Sequence, residues 1–509
     1  MSYALCIMSD NLKKKINKAD TSITALFLIG IIIVVNFLSY QLFFRWDLTQ
    51  NKVYSISKVS KNTVGELDDI VNVKAYFSEN LPGQLFSLRQ EVEDILDEYQ
   101  NYSNGKIKIE YIDPNDDEET QRELYMIGIP QLTFETYEKD KRELVNGYMG
   151  IAISYGDNTE VIPAVKQNTS DLEYQLTTAI KKVISDEIAT IGILSSNGSA
   201  SLENDLSVAY GELTGLYDVL PVDLSGEETQ IPRQIKTLII PAPKEKFSEI
   251  QIEALKNFVN QGGSVLALVD GVSIGEGLSA TKNDLDFNNF LNEYGITLNT
   301  DLVGDLRSGT ASFSQGFFTF SSAYSFWPKV TKDGFNQDYN AVANLENVVL
   351  PWASSISVDE NKLSEDKVTV LANTTNKAWR VEDNFNVAPN SANNPQGARQ
   401  EYNLAISAKV NDVSSIIVVG DGDFVNNNFV QGNPDNLTFF QNLVDSLSLD
   451  DDLINIRSKI VSSRPIKELT DSQRAMYRYL NVFGITILVV FYGMFRYFIR
   501  RKSRFVDEL

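Results

Sequence analysis

Two stretches of this chain are predominantly apolar over about twenty residues, and most of what lies between them alternates between apolar and polar positions. Residues 23–44 carry no charged side chain. As a helix rising 1.5 Å per residue this run spans about 33 Å, enough to cross a bilayer. It is longer than the roughly 7–15 residues of a signal-peptide core and ends at Arg45-Trp46-Asp47 rather than at small residues, which predicts an uncleaved anchor. Residues 479–499 form the second run. Tyr477, Tyr479, Tyr492, Tyr497 and Phe498 sit about its ends like an interfacial belt, and Arg496 is close enough to the end to reach headgroups.

Behind the first run, Val71–Phe77 alternates as a strand does, and Leu85, Leu88, Val92, Ile95, Leu96 and Tyr99 recur at helical spacing. Lys106–Ile112 reads as a second strand. Asp116-Asp117-Glu118-Glu119 suits a helix N-terminus, where the dipole is positive, and lacks the glycine a calcium loop needs. Gly128–Phe134, entered through Ile129-Pro130, reads as a third strand, followed by a turn at Glu138-Lys139-Asp140 and a strand at Met149–Ser154. This β-α-β-α-β-β order resembles the thioredoxin fold. That family carries a CxxC after its first strand, where this chain has Ser78-Glu79-Asn80-Leu81-Pro82-Gly83. The resemblance therefore implies a scaffold without redox chemistry.

Ser170-Asp171-Leu172-Glu173 has capping-box spacing and predicts a helix through Ile184. Beyond it come a strand at Ile188–Leu194, the small-residue loop Ser195–Ala200, a helix over about Leu202–Leu213, and strands at Tyr217–Val222, Ile235–Pro241 and Ser264–Val269, with a helix at Ser248–Asn260. A late strand, Ile416–Val419, precedes Gly420-Asp421-Gly422-Asp423 and a helix at Asn436–Leu447. Strands and helices alternating at these lengths predict a parallel, doubly wound sheet. The pattern resembles glutamine-amidotransferase-like and flavodoxin-like domains. The amidotransferase cysteine would follow a strand such as Leu266–Val269, and Asp270-Gly271 stands there instead. The loop at Ser195–Ala200 has neither GxGxxG nor P-loop spacing, so it reads as a plain turn.

Composition narrows the chemistry further. The 509 residues include no histidine and one cysteine, Cys6, which removes His-ligated metals, Ser-His-Asp and Cys-His nucleophiles and intrachain disulfides. The net charge of −23 is unevenly spread: each end carries +3, leaving −29 on residues 46–478. Such a surface repels nucleic acid. Lys13, Lys14, Lys15 and Lys18 precede the first apolar run and Arg500, Arg501, Lys502 and Arg504 follow the second, which puts both termini on the cytoplasmic side.

Two groups of residues could carry function. Asp270, Asp421 and Asp423 are expected at the C-terminal ends of parallel strands, where three carboxylates could bind Mg²⁺ or Ca²⁺ or work as acid and base, or could simply be turn residues. The run Ser308–Phe335 is dense in aromatics. Phe317, Phe318, Phe320, Tyr324, Phe326 and Trp327 are candidates for a docking surface for a partner or glycan, against the plainer reading of strands packed on a core. Asn384–Gln400 reads as an exposed loop.

Several segments together carry one resemblance: Arg45-Trp46-Asp47-Leu48-Thr49 leading to Tyr54-Ser55-Ile56-Ser57, Tyr111-Ile112-Asp113-Pro114, Leu172-Glu173-Tyr174-Gln175-Leu176, Leu238–Pro243, Gly262–Leu266 and Phe326-Trp327-Pro328. Their order and spacing resemble the GldG family of gliding-motility-associated ABC transporter accessory proteins over nearly the whole chain. The resemblance implies a non-enzymatic subunit working with a separate permease and a separate cytoplasmic ATPase in the cell inner membrane, without a cofactor of its own and with possible periplasmic or envelope partners. The expected layout is a cytoplasmic tail (1–22), a transmembrane helix (23–44), a thioredoxin-like α/β domain with its linking helix (46–185), an amidotransferase-like α/β domain with an aromatic insertion (186–460), a juxtamembrane linker (461–478), a second transmembrane helix (479–499) and a second tail (500–509). Residues 46–478 would be periplasmic. A carboxylate-based periplasmic enzyme or Ca/Mg-dependent glycan binder, and a tethered solute receptor, are the other readings.

Overall fold

The computed structural model describes residues 55–506 except 116, 139–140, 167–168, 185–188, 227–228, 316–317, 360, 363–366, 390–396 and 449–470, together with seven positions between 27 and 36. Those seven are helical; the rest of the first apolar run, both ends of the chain and most of the juxtamembrane linker lie outside the described residues. The chain divides into two compact units, Met1–Glu187 and Ile188–Leu509.

In the first unit the strands are β1 (Val71–Phe77), β2 (Ile107–Ile112), β3 (Leu132–Glu138), β4 (Lys141–Gly147), β5 (Met149–Tyr155) and β6 (Asn158–Ile162). Four of them form a sheet in the order β2-β1-β5-β6, with β1 parallel to β2 and antiparallel to β5. Val71, Val73, Ala75 and Phe77 alternate toward a core shared with Leu88, Val92, Leu96 and Tyr99 of the helix Phe86–Tyr102 and with the helix Leu172–Ile184. On the opposite face Tyr76 and Ala152 meet Leu124 of the helix Glu118–Ile127, whose N-cap is Asp117.

The expected third strand is corrected here. Leu132–Glu138 pairs with β4 in a separate two-stranded hairpin, and the third place in the sheet belongs to β5. The cause is burial: Met149–Ile153 is an unbroken buried run, as a central strand requires, whereas the hairpin offers polar residues at alternate positions. The peptide bond before Pro130 is trans. The helix expected through Ile184 is Leu172–Ile184, and the Ser170 side chain of the expected capping box lies outside the described residues. The Glu173 carboxylate accepts hydrogen bonds from Ser57 N–H (2.5 Å) and Ser60 Oγ (2.6 Å), while Glu98 accepts from Ile56 N–H (2.8 Å). Two carboxylates thus hold Ile56, Ser57 and Ser60 onto the core of the unit.

The second unit contains β7 (Thr190–Leu194), β8 (Asp218–Val222), β9 (Ile235–Pro241), β10 (Ser264–Leu268), β11 (Val272–Gly275), β12 (Ser279–Lys282), β13 (Ile296–Leu298), β14 (Leu302–Gly304), β15 (Ser308–Gln315), β16 (Phe318–Thr331), β17 (Asn347–Val349), β18 (Ile356–Val358), β19 (Val368–Asn373), β20 (Trp379–Val381), β21 (Asn403–Lys409) and β22 (Ser415–Val419). Its main sheet runs β13-β18-β21-β22-β10-β9-β7-β8, with β19 also on β21. The five strands from β22 to β8 are parallel, as the hydrophobic runs predict. Beyond β22 the sheet continues antiparallel, which corrects the expectation of a wholly parallel sheet.

Both faces of the parallel part are buried. Leu266 and Leu268 of β10 face one core with the helix Pro434–Ser448, and Val265 and Ala267 face the other with Ile252, Leu255 and Val259 of the helix Glu249–Asn260. The helix Glu249–Asn260 opens with a capping box between Ser248 and Gln251. The helix expected at Leu202–Leu213 is shorter, Ser207–Thr214, because Asp205 turns back to accept from Ser201 N–H at 2.9 Å. At the C-terminal end a helix covers Asp471–Val506. Its stretch Ser472–Tyr497, with a mean hydropathy of 1.5, is long and apolar enough to cross a membrane, the one such helix among the described residues.

Candidate functional site

Open parallel sheets bind ligands outside the carboxyl ends of the strands, where the strand order reverses. In this sheet the reversal falls between β7 and β9, and the two loops there are tied to each other. Asn197 accepts Lys244 N–H and Glu245 N–H on its carbonyl, both at 2.9 Å, and its side-chain Nδ2 donates to Lys246 O at 3.0 Å and to Gln251 Oε1 at 3.1 Å. Ser196 Oγ accepts from Leu224 N–H at 3.2 Å. The small-residue loop is therefore a strut: Ser196 and Asn197 are engaged by neighbouring chain, while the buried Ser199 Oγ has no hydrogen-bond partner.

The neighbouring strand ends bring the three aspartates together. Leu268 of β10 pairs with Val419 of β22, so Asp270 and Asp421 emerge side by side. Asp270 Oδ1 accepts from Gly422 N–H at 2.8 Å, and Asp421 Oδ1 accepts from Asp423 N–H at 2.8 Å. Asp421 is fully buried, and its Oδ2 has no hydrogen-bond partner. Burial pushes the Asp270 carboxyl well above the usual carboxylate range, with repulsion from Asp423 adding to it. Burial does the same at Asp421, reinforced by Asp270 and Asp423. At Asp423 burial again raises the value and the nearby Lys244 ammonium opposes it.

A loop closes this corner. Ser354 N–H donates to Gly420 O at 2.6 Å, and Ser354 Oγ accepts from Gly271 N–H at 2.9 Å while donating to Asp301 O at 2.7 Å. A Cβ on Gly271 would stand 2.1 Å from Asn299 O, and one on Gly420 would stand 2.1 Å from Ser354 O. Glycine is needed at both places because backbone passes directly over the strand ends. Among the described residues no three acidic or thiol side chains are grouped so that they could hold a metal ion. Burial and the mutual repulsion of the acidic groups raise these carboxyls, and Asp270 and Asp421 are buried beneath the covering backbone rather than open to a substrate.

The aromatic run behaves differently. β15 and β16 form a hairpin that continues to β17. Tyr324 and Phe326 are core residues, so their place among docking candidates is corrected: they pack with Leu302, Trp379 and Val387. Phe317 lies outside the described residues. Phe318 is 80% and Phe320 43% exposed. Trp327 is half-buried and meets Trp352 edge to face, 5.5 Å between centroids at 89°. Phe429 stands edge-on to both indoles, at 5.1 Å and 6.0 Å. Tyr324 Oη donates to Val387 O at 2.6 Å and accepts from Trp352 Nε1 at 3.3 Å. Beside these rings lies a half-open cleft of about 760 Å³ lined by Phe313, Phe320, Trp327 and Trp352.

Trp352 is the residue that sequence reasoning misses. It follows Pro351 in a loop, more than twenty residues from the hairpin, and has φ +57°, a left-handed conformation that a bulky residue adopts only when its surroundings enforce it. Its N–H bond to Phe326 O (2.7 Å) and its Nε1 bond to Tyr324 fix it there. One signal was present: it is one of only four tryptophans in 509 residues.

The described residues form an α/β chain with one helix long and apolar enough to cross a membrane. The chain belongs to the family described as ABC-type uncharacterized transport system, whose model matches residues 189–455. A second model, a domain of unknown function, matches residues 50–154. A relative from Borreliella burgdorferi, described as an uncharacterized protein, is 23% identical over 487 residues, covering 90% of this chain and 94% of that one. The Mus musculus intraflagellar transport protein 52 homolog is 38% identical over 69 residues, 14% of this chain and 15% of its own length. Among solved structures, the mmIFT52 N-terminal domain covers 52% of this chain and 99% of that one at 16% identity and a TM-score of 0.36. A ThuA-like protein from Parabacteroides merdae covers 56% and 95% at 12% identity and a TM-score of 0.30. Neither score carries a structural argument.

Proposed function

We propose that this protein is a non-catalytic, membrane-anchored accessory subunit of an ABC transporter that serves gliding motility, with a large periplasmic part for partner or cargo interaction. The observation that carries the reading is the family match over the second unit combined with the membrane-length helix that follows it. Both termini would be cytoplasmic in the inner membrane, with residues 23–44 supplying the other span. The order β2-β1-β5-β6 with flanking helices supports a thioredoxin-like first domain, and the parallel order β8-β7-β9-β10-β22 supports a flavodoxin- or amidotransferase-like second domain. The absence of histidine from the whole chain, and the closure of the acidic strand ends, support a role in binding rather than turnover.

The test is isolation of the full chain from its own membranes in a mild, non-ionic detergent. A permease and a cytoplasmic ATPase subunit should come with it in fixed ratio. Recovery of the intact chain alone, from membranes that retain both subunits, overturns the reading. Cysteine labelling distinguishes topology: a thiol placed near residue 505 should react only after the inner membrane is permeabilised, and one placed at exposed Val413 should react before.

A further inference from the structure

We propose that the free edge of β15 is a strand-addition site. An extended, uncharged segment of a partner protein pairs its backbone with β15 there and sets its apolar side chains in the adjoining aromatic cleft. The argument begins with hydrogen bonds. β15 is the outer strand of the β15-β16-β17 sheet, and among the described residues it pairs with β16 alone. In an antiparallel pair every second residue turns its N–H and C=O away from the neighbouring strand. Among the described residues no further backbone bond reaches residues 309–314, so these outward groups stand ready for another strand. Natural folds blunt such edges, and this chain does so elsewhere: β8 carries Pro221, β2 carries Lys108 and Glu110, and β6 carries Glu160. Residues 308–328 hold no charged side chain, in a chain that is 22% charged. The irregularity in the hairpin register lies at its base, between Ser308 and Thr310, and leaves the rest of the edge regular. An edge left plain where its counterparts are blunted calls for a partner strand.

The cleft defines the chemistry of that strand. Ala311, Ser312, Phe313 and Ser314, four consecutive residues of β15, all line it. Consecutive side chains of a strand point to opposite faces, so four in a row border one cleft only where it runs along the backbone edge. β16 occupies one edge of β15, and the cleft therefore runs along the other. The cross-strand pair Phe313 and Phe320 also lines it, which extends the cleft onto the face those rings share. A strand added to β15 points every second side chain to that face, toward Trp327 and Trp352. No acidic or basic side chain lines the cleft, so the side chains it takes are uncharged and apolar. Its volume, about 760 Å³, lies within the range of ligand-binding clefts. A lipid chain filling the cleft would cover the outward N–H and C=O groups of β15 without pairing them, at about 1–3 kcal/mol for each, whereas a peptide backbone pairs them. A second copy of this chain is the poorer occupant, because residues 46–478 carry a net −29 and two such bodies repel.

The inference deepens the partner-binding reading above and rests on it only in taking the partner to be a protein. Its test needs neither permease nor ATPase, so its failure and the failure of the transporter reading are separate results. The full chain in lipid nanodiscs is titrated with acetyl-Thr-Val-Thr-Phe-Thr-Leu-Ser-amide, an uncharged peptide with apolar residues at alternate positions. Calorimetry should give a Kd at or below about 100 μM. Alternate amides of residues 309–314, open to hydrogen exchange in the free chain, should slow at saturation. Two N-methylated peptides separate strand pairing from mere filling of the cleft. One is methylated at the Val, Phe and Leu nitrogens, which lie on one edge of the extended peptide, and the other at the Thr nitrogens on the opposite edge. One of the two should bind about tenfold or more weakly, and the other within about threefold of the parent. Phe320→Ala, at a partly exposed position lining the cleft, should weaken binding about threefold or more, and Asp421→Asn should leave it unchanged. No binding at about 1 mM peptide, equal binding by the two methylated forms, or exchange at residues 309–314 that saturation leaves unaltered overturns the proposal. So does protection of consecutive amides throughout 309–314 before any peptide is added: a dimeric chain would then be pairing with its own copy, and a monomeric one with its own sequence.

Discussion

The acidic strand ends and the aromatic cleft belong to the same unit, and they invert what their residue types suggest. Three aspartates at the ends of parallel strands look like chemistry, but Asp270 and Asp421 are buried, bonded to backbone amides and covered by the chain around Ser354. A run of aromatics looks like core, and Tyr324 and Phe326 are core, yet Phe320, Trp327 and Trp352 remain partly open around a wide cleft. Availability to a ligand is decided by what lies over a residue, which is set by long-range packing. A buried polar group is informative because of its cost, and an open aromatic cluster because it has not been used to lower that cost.

The strongest way to break the contrast is to open the acidic corner. Gly420→Ala should cost about 3 kcal/mol or more, because the new methyl would meet Ser354 O, a backbone atom with little freedom to move. Gly271→Ala, facing Asn299 O, should cost as much. Urea unfolding of the full chain reads both. Losses under about 0.5 kcal/mol would mean that the cover is loose and the corner accessible.

Next comes the charge itself. Asp421 has a folded value raised by burial and by its acidic neighbours, so the folded chain holds a proton at pH values where the unfolded chain has released it. Its contribution to stability is therefore complete below the ordinary carboxylate range and is lost as the pH rises through that range toward the folded value. Asp421→Asn removes this dependence. It should match the wild type near pH 4 and exceed it by about 1–3 kcal/mol near pH 8. A variant that is weaker than the wild type near pH 8, and only there, would show that the ionised carboxylate has a partner, and the corner would count as a site.

How much of this was legible beforehand follows from the range of the interactions. The parallel strands were readable because a strand buried on both faces must be a continuous apolar run, as in Ile416–Val419. The antiparallel extension was not, since β13 and β18 are three residues each and owe their existence to neighbours. The meeting of Asp270 with Asp421 was readable from strand-end position. Its closure was not, because Gly271 and Ser354 are 83 residues apart. The hairpin aromatics were visible as a cluster, but the cleft needs Trp352, brought in by bonds to Phe326 and Tyr324 that no local pattern announces. In the first unit, the bond from Ser57 N–H to Glu173 joins residues 116 apart, which no local pattern announces.

A smaller effect probes how the cleft is held. Tyr324→Phe removes the hydroxyl that donates to Val387 O and accepts from Trp352 Nε1, leaving two buried groups short of a partner. A loss of about 1–2 kcal/mol is expected, with the indole of Trp352 freed to turn. Tryptophan fluorescence should shift to longer wavelength as Trp352 meets water. An unchanged spectrum with unchanged stability would mean that the backbone bond at Trp352 suffices to place it.

The smallest expected change gives the sharpest contrast with the acidic corner. Phe318 and Phe320 project from the β15–β16 hairpin with 80% and 43% of their surfaces exposed, and Phe320 has Phe313 as a ring neighbour at 5.7 Å. Phe318 removes little apolar area from water when the chain folds, and Phe320, more than half buried, removes more. Phe318→Ser should alter stability by no more than about 0.5 kcal/mol and Phe320→Ser should cost about 1–2 kcal/mol, against about 3 kcal/mol for one methyl at Gly420. If Phe320→Ser instead costs as much as a core truncation, about 3 kcal/mol, the hairpin is a packing element closed in solution and the cleft is not available. If it costs almost nothing, an exposed aromatic stands where the fold does not need one. That separates this region from Asp270 and Asp421, each of which is buried with one carboxyl oxygen bonded to a backbone amide of the closed corner.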